Sequence, residues 1–201
     1  MANRMNRRDF LKVGLTSGVV AGFNSKAIAA SLESLALRQP DLVIADNRFE
    51  ASRRFGIEAA RHRPPSHMID GAITDLWFEP RDPQWRRHPT IIAGMTAPQP
   101  LFCLERLAHD RGMRVVLRIT HEALPDSLVS HHVEATEHLF QPLSQLLEGA
   151  DWSERMARLT GVCSWGGAPG PCRSHRVFSG TADASLLGSP LVSWVIAPLV
   201  S

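Results

Sequence analysis

Asp46, Asn47 and Arg48 follow directly on the apolar run Leu42-Val43-Ile44-Ala45, and Gly94, Met95 and Thr96 close a second run that begins at Thr90. Both places read as strand-to-helix turns. In open α/β sheets such turns lie at the carboxyl ends of strands, where helix N-termini present free N–H groups and ligands settle. If the two strands are neighbours, these residues frame one crevice holding amide donors, a hydroxyl and a carboxylate. Asp46, Asp70 and Thr96 are then the first candidates for acid–base chemistry, with Arg48 stabilising developing negative charge. The plainer reading makes Asn47 and Thr96 helix caps, each with a capping-box partner three residues on, Glu50 and Gln99. Neither turn carries a G-x-G-x-x-G or P-loop pattern, so a nucleotide is not indicated.

Other constellations carry less. The stretch Trp77 to His88 crowds two tryptophans, three arginines and two prolines into one connection. Arg86 or Arg87 there could pair an anionic ligand, but tryptophans plugging a groove beneath solvated arginines explain it as well. His131, Glu134 and His138 would share one face of a helix, with His132 and Glu137 nearby, and imidazole with carboxylate suits zinc or iron. H-E-x-x-H is absent, so a polar helix surface is the simpler account and no metal is expected. Cys163 and Cys172 flank Ser-Trp-Gly-Gly-Ala-Pro-Gly-Pro, a loop flexible enough to bring them together. A bridge of that span would stabilise by roughly 2–3 kcal/mol. Cys172 with His175 is only a weak ligand or thiol pair. Cys103 reads as a small buried hydrophobe within an amphipathic helix. No G-x-S-x-G elbow surrounds Ser164 or Ser179, which weakens an α/β-hydrolase reading.

The elements that must position these residues follow from periodicity. A continuous apolar run such as Leu42 to Ala45 is typical of a strand covered on both faces. A helix is expected from Asn47 to about Arg61, ended by Pro64-Pro65. His67 to Ile69 and Ile73 to Phe78 are short apolar runs, and Asp70-Gly71 between them could turn a hairpin. The arrangement starts again at residue 90. Leu101, Leu104, Leu107 and Ala108 mark one face of a helix with Pro98 in its first turn, closed by Gly112. Met113, Val115, Leu117 and Ile119 then alternate with Arg114 and Arg118, as in a strand with one wet face near a sheet edge. Further on, His131 to Glu148 reads as a helix bent by Pro142. A short helix begins at Asp151. Leu159 to Trp165, Arg176 to Ser179 and Leu191 to Ile196 are strand candidates. Two strand–helix–strand units of similar length argue for an α/β layered fold. A mainly parallel sheet with flanking helices is expected, with a small antiparallel addition at the C-terminal end.

The charge balance is +2, from 22 basic and 20 acidic residues. Five of the basic residues (Arg4, Arg7, Arg8, Lys12 and Lys26) precede Ser31, against one acid, Asp9. The rest holds 17 arginines and 19 acids. It has no electrostatic bias towards nucleic acid.

Asn6-Arg7-Arg8-Asp9-Phe10-Leu11-Lys12 resembles the twin-arginine export motif. A weakly apolar stretch follows from Leu11 to Phe23, shorter than the ~20 residues of a spanning helix, and Ala27-Ile28-Ala29 offers a small-x-small cleavage site. The resemblance divides the chain into a leader at 1–30 and one domain at 31–201. It implies passage through the twin-arginine translocase already folded, a periplasmic or secreted destination, and no stable membrane span after cleavage. It leaves open any cofactor. Two roles fit: a ligand-binding or accessory subunit, for instance one with an exported redox enzyme as partner, or a small enzyme using acid–base chemistry on an uncharged or weakly anionic metabolite. Lysines in place of Arg7 and Arg8 are expected to leave the product on the cytoplasmic side of the inner membrane in a fractionation assay. Undiminished arrival beyond that membrane contradicts the export reading.

Overall fold

The computed structural model describes residues 40–61, 64–76, 87–160, 172–180 and 186–198. The chain divides into two units, Met1–Ala36 and Leu37–Ser201, and the leader falls outside the described residues. So do Trp77 to Arg86 and Cys163.

The second unit is an α/β fold built on one sheet of seven strands. In chain order these are β1 (Leu42–Asp46), β2 (Ser66–Ile69), β3 (Ile92–Thr96), β4 (Met113–Ala123), β5 (Leu128–Thr136), β6 (Cys172–Gly180) and β7 (Leu191–Pro198). Their order across the sheet is β2-β1-β3-β7-β4-β5-β6. Among the described residues four helices of two turns or more flank it: α1 (Glu50–Arg61), α2 (Pro98–His109), α3 (Phe140–Leu147) and α4 (Trp152–Thr160). Among the described residues no helix is long and apolar enough to cross a membrane.

Both expected strand–helix–strand units are present, as β1-α1-β2 and β3-α2-β4. The antiparallel share is larger than the sequence suggests. Only β1 with β2 and β1 with β3 pair in parallel. β7 inserts antiparallel between β3 and β4, and β4, β5 and β6 continue antiparallel. Periodicity foretells which residues form strands, not which strands become neighbours, so the insertion left no trace in the sequence pattern.

The sheet separates two cores. Val43, Ala45, Ala93, Met95, Leu117, Ile119, Val129, Val133 and Val195 face α1, α3 and α4, meeting Phe55, Leu143, Trp152 and Met156. Leu42, Ile44, Ile92, Trp194 and Ile196 face α2 through Leu101, Leu104 and Ala108. β1 contributes to both, which explains its unbroken apolar run.

Several expectations are corrected. β4 lies between β7 and β5 rather than near an edge. A β-bulge separates Val115 from Leu117 in its pairing with β7. The extra residue reverses the inward side, so Met113 and Val115 join the α2 core while Leu117 and Ile119 join the other. The segment after Gly71 makes one helical turn, Thr74–Leu76, instead of a strand, and Leu159 and Thr160 close α4. His131 lies in β5, not in a helix; α3 starts only at Phe140, which puts Pro142 in a first turn that tolerates it. Cys103 is exposed on α2 and not buried.

Gly94 is fixed by packing. A methyl group on its Cα would sit 2.3 Å from Trp194 Cζ2 and 2.7 Å from the Ile44 carbonyl oxygen. Trp194 is fully buried and crosses β3 at this residue. Gly94→Ala is expected to lower stability by about 1–3 kcal/mol in urea unfolding, and by less in a Trp194→Phe background, where the clashing ring atoms are gone. Equal losses in the two backgrounds would contradict this account of Gly94.

Candidate functional site

β1 and β3 are parallel neighbours whose helices leave to opposite faces, α1 into one core and α2 into the other. α1 leads on to β2 at one side of this strand pair, and α2 leads past β7 to β4 at the other. The space beyond their carboxyl ends is therefore a topological switch point, the place where open α/β sheets hold ligands. Asp46 ends β1 and Thr96 ends β3.

Asp46 is completely buried, and a buried carboxylate must be compensated. The sequence supplies the partner two residues away. Arg48 donates from Nε to Oδ1 at 2.9 Å and from Nη2 to Oδ2 at 2.7 Å, a fork that matches the carboxylate plane. The Arg48 backbone N–H donates to Oδ1 at 3.2 Å and the Ala97 N–H to Oδ2 at 3.3 Å, the latter joining the two turns directly. The Asp46 N–H donates to Ser52 Oγ at 2.7 Å, and that hydroxyl donates to the Met95 carbonyl at 2.5 Å. Asp46 thus connects β1 to α1 and to β3. Burial pushes its carboxyl pKa up, but the Arg48 and backbone hydrogen bonds outweigh that and hold it below the usual aspartate value. Hydrogen bonding to Asp46 raises Arg48 in turn.

The remaining candidates are placed unevenly. The Arg48 side chain is about half exposed, at 49%, and its Nη1 edge makes no hydrogen bond to a described residue. Asn47 is exposed and donates from Nδ2 to Asp70 Oδ1 at 3.2 Å, joining the ends of β1 and β2. Gly71 follows at φ +88°, and a side chain there would meet the Arg48 guanidinium at 2.5 Å. The positive φ favours glycine there, and any side chain would also have to displace the Arg48 guanidinium. Asp46, Asn47, Arg48 and Asp70 therefore form one cluster. Thr96 is buried beside it, with its hydroxyl donating to the Ala97 carbonyl at 2.9 Å and accepting from Trp194 Nε1 at 3.1 Å. Gly94 lies inside β3 under Trp194, away from the turn.

The caps differ from expectation. α2 has Ala97 as its N-cap with no side-chain hydrogen bond, because the Thr96 hydroxyl is engaged elsewhere. Pro98 and Pro100 have no N–H to be capped. The Asn47 side chain turns to Asp70, and it is Asp46 that accepts the Arg48 N–H.

Sequence reasoning missed a second polar cluster. His121 on β4 and His131 on β5 are register partners, both completely buried. Their Nδ1 atoms are 2.6 Å apart. His121 Nε2 lies 2.7 Å from Ser193 Oγ on β7, and His131 Nε2 lies 2.8 Å from Ser179 Oγ on β6. The Trp152 ring packs on both imidazoles. Burial pulls both histidine pKa values down, that of His131 to about 4. The available clue was the alternation Val129, His131, Val133, Ala135, which a polar residue at an inward position disguised.

His131 and Glu134 belong to opposite faces of β5, so the three-residue helical spacing that suggested metal ligation does not exist. Among the described residues no group of three or more His, Cys, Asp or Glu is placed to hold a metal. The bridge expected between Cys163 and Cys172 lies outside the described residues, as does Arg86; Arg87 and His88 are exposed. Set against protein-family models, curated proteins and solved structures, the chain matches none of them.

Proposed function

We propose that this chain is an exported, non-catalytic ligand-binding module, acting alone or as an accessory subunit, whose site is the switch point formed by Asn47, Arg48 and Asp70. The observation that carries the reading is the Asp46–Arg48 pair. A general base must be able to exchange its proton with substrate near the working pH. Asp46 is buried, accepts four hydrogen bonds and is held anionic. That arrangement suits orienting an arginine, not abstracting a proton, and it counts against the acid–base reading with Asp46, Asp70 and Thr96. Thr96 likewise spends its hydroxyl on Ala97 and Trp194.

The ligand class follows from the charges. Arg48 is neutralised by Asp46, and Asp70 adds a negative group at the rim, so a strongly anionic ligand is disfavoured. Guanidinium N–H donors, an amide and a carboxylate acceptor side by side suit an uncharged molecule with adjacent hydroxyl or amide groups. The Arg7-Arg8 leader supports delivery of the folded module to the periplasm or beyond. Native mass spectrometry of the gently purified chain is expected to detect a co-purifying small molecule, reduced at least tenfold in Arg48→Met. Unchanged retention in that variant, or a chain that carries no small molecule, contradicts the proposal.

A further inference from the structure

We propose that Ser179, His131, His121 and Ser193 form a pH-responsive latch that fastens α4 to the antiparallel half of the sheet, closed while the two imidazoles share one proton and opened when each carries its own. The proposal is independent of the ligand site, which lies at the parallel end of the sheet.

The four residues come from adjacent strands β6, β5, β4 and β7, in that order across the sheet. A neutral imidazole has one N–H donor and one acceptor nitrogen. At 2.6 Å, one Nδ1 must carry hydrogen and the other must accept it. If His121 donates from Nδ1, its Nε2 accepts from the Ser193 hydroxyl, while His131 donates from Nε2 to Ser179. The mirror arrangement satisfies the same three contacts, since each hydroxyl can rotate. Neutral, the row is therefore fully satisfied within the core. A metal ion ligated by both nitrogens would hold them farther apart, at the ~2.0–2.1 Å metal–nitrogen distance of each bond.

One added proton can go to the free Nε2 of the ring that donates from Nδ1, whose serine rotates to accept it, so the Nδ1 bond survives with one positive charge buried. When each imidazole is cationic, both Nδ1 atoms bear hydrogen and face each other, and two charges are buried. Among the described residues neither imidazole has a carboxylate partner. Arg114, Arg118 and Glu122 on β4, His132 and Glu134 on β5, Arg173, His175 and Arg176 on β6, and Glu154, Arg155 and Arg158 on α4 are all at least partly exposed, and the buried Glu58 of α1 pairs with Arg61 and Arg158. α3 and β7 contain no charged residue. Among the described residues, His131 is the one charge that bears on His121. Trp152 offers a ring face to a cation, which does not replace a counter-charge. Relief requires the rings to separate, and Trp152, the first residue of α4, packs on both at centroid distances of 4.3 and 5.0 Å. Separation therefore displaces the start of α4.

Folded-state histidine pKa values below the ordinary 6.5 mean that the unfolded chain binds more protons at mildly acidic pH. Stability is then complete above pH 6.5 and falls as pH drops towards about 4. The carboxylates of Asp46, Glu50, Glu58 and Asp151 have lowered pKa values, so their contributions are intact above the ordinary carboxylate pKa and are lost only as pH falls below it.

The test uses the full chain. Urea midpoints measured from pH 7.5 to 4.5 are expected to fall below pH 6.5 in the wild type and to stay level over that interval in His121→Asn/His131→Asn. Should the double variant not fold, the wild type is followed by nitrogen-15 imidazole spectra and amide hydrogen exchange. A single shared Nδ1 proton at pH 7.5 is expected to vanish on acidification as the α4 amides from Arg155 onward lose protection ahead of β1 and β3. A wild-type midpoint that stays flat to pH 4.5 would overturn the latch. So would labelling of Ser179 or Ser193 by a fluorophosphonate, or a stoichiometric metal ion on the two imidazoles.

Discussion

The parallel end of this protein depends on satisfying one buried carboxylate. Asp46 sits where β1 ends, out of contact with water, and an uncompensated charge there would be too costly to keep. The compensation comes from Arg48, two backbone N–H groups and a turn geometry completed by Gly71. Because Ala97 is one of those donors, the same carboxylate sets the separation of the β1 and β3 turns. Because the Asp46 N–H meets Ser52, it also sets the approach of α1. The exposed edge of Arg48 is a by-product of this order: a guanidinium fixed on one side by the core and open on the other.

The antiparallel end solves a related problem differently. His121 and His131 are also buried polar groups, but they compensate each other and two serines without any charge. One end of the sheet keeps an ion pair and resists acid to below the ordinary aspartate range. The other keeps a neutral network that cannot hold hydrogen on both facing Nδ1 atoms. β7 joins the two ends, carrying Trp194 against Thr96 and Gly94 on one face and Ser193 against His121 on the other. A chain with this division loses its antiparallel packing first as pH falls.

Legibility in the sequence followed the locality of the cause. The unbroken apolar run of β1, the amphipathic face of α2 and the carboxylate and amide after β1 were all visible, because each follows from a few consecutive residues. The neighbouring position of β1 and β3 was conditional, and the sheet supplied it. The inserted β7 was invisible, since strand order is a property of long-range pairing. The bulge at Val116 broke an alternation that looked regular on paper. At residues 131–148 a real period-two pattern was concealed, because His131 points inward and His132 and Glu134 outward, and polar residues on both faces imitate a solvated helix. The cap expected at Thr96 failed because a distant residue, Trp194, claimed its hydroxyl.

The central claim is that Asp46 holds Arg48 in place, and a double-mutant cycle with Asp46→Asn and Arg48→Met measures that coupling directly. Urea unfolding of the four proteins at pH 7.5 is expected to give an interaction of about 1–2 kcal/mol, reduced from the upper range for contacting residues because the arginine is half exposed. Additive losses, with the two substitutions acting independently, would contradict the account.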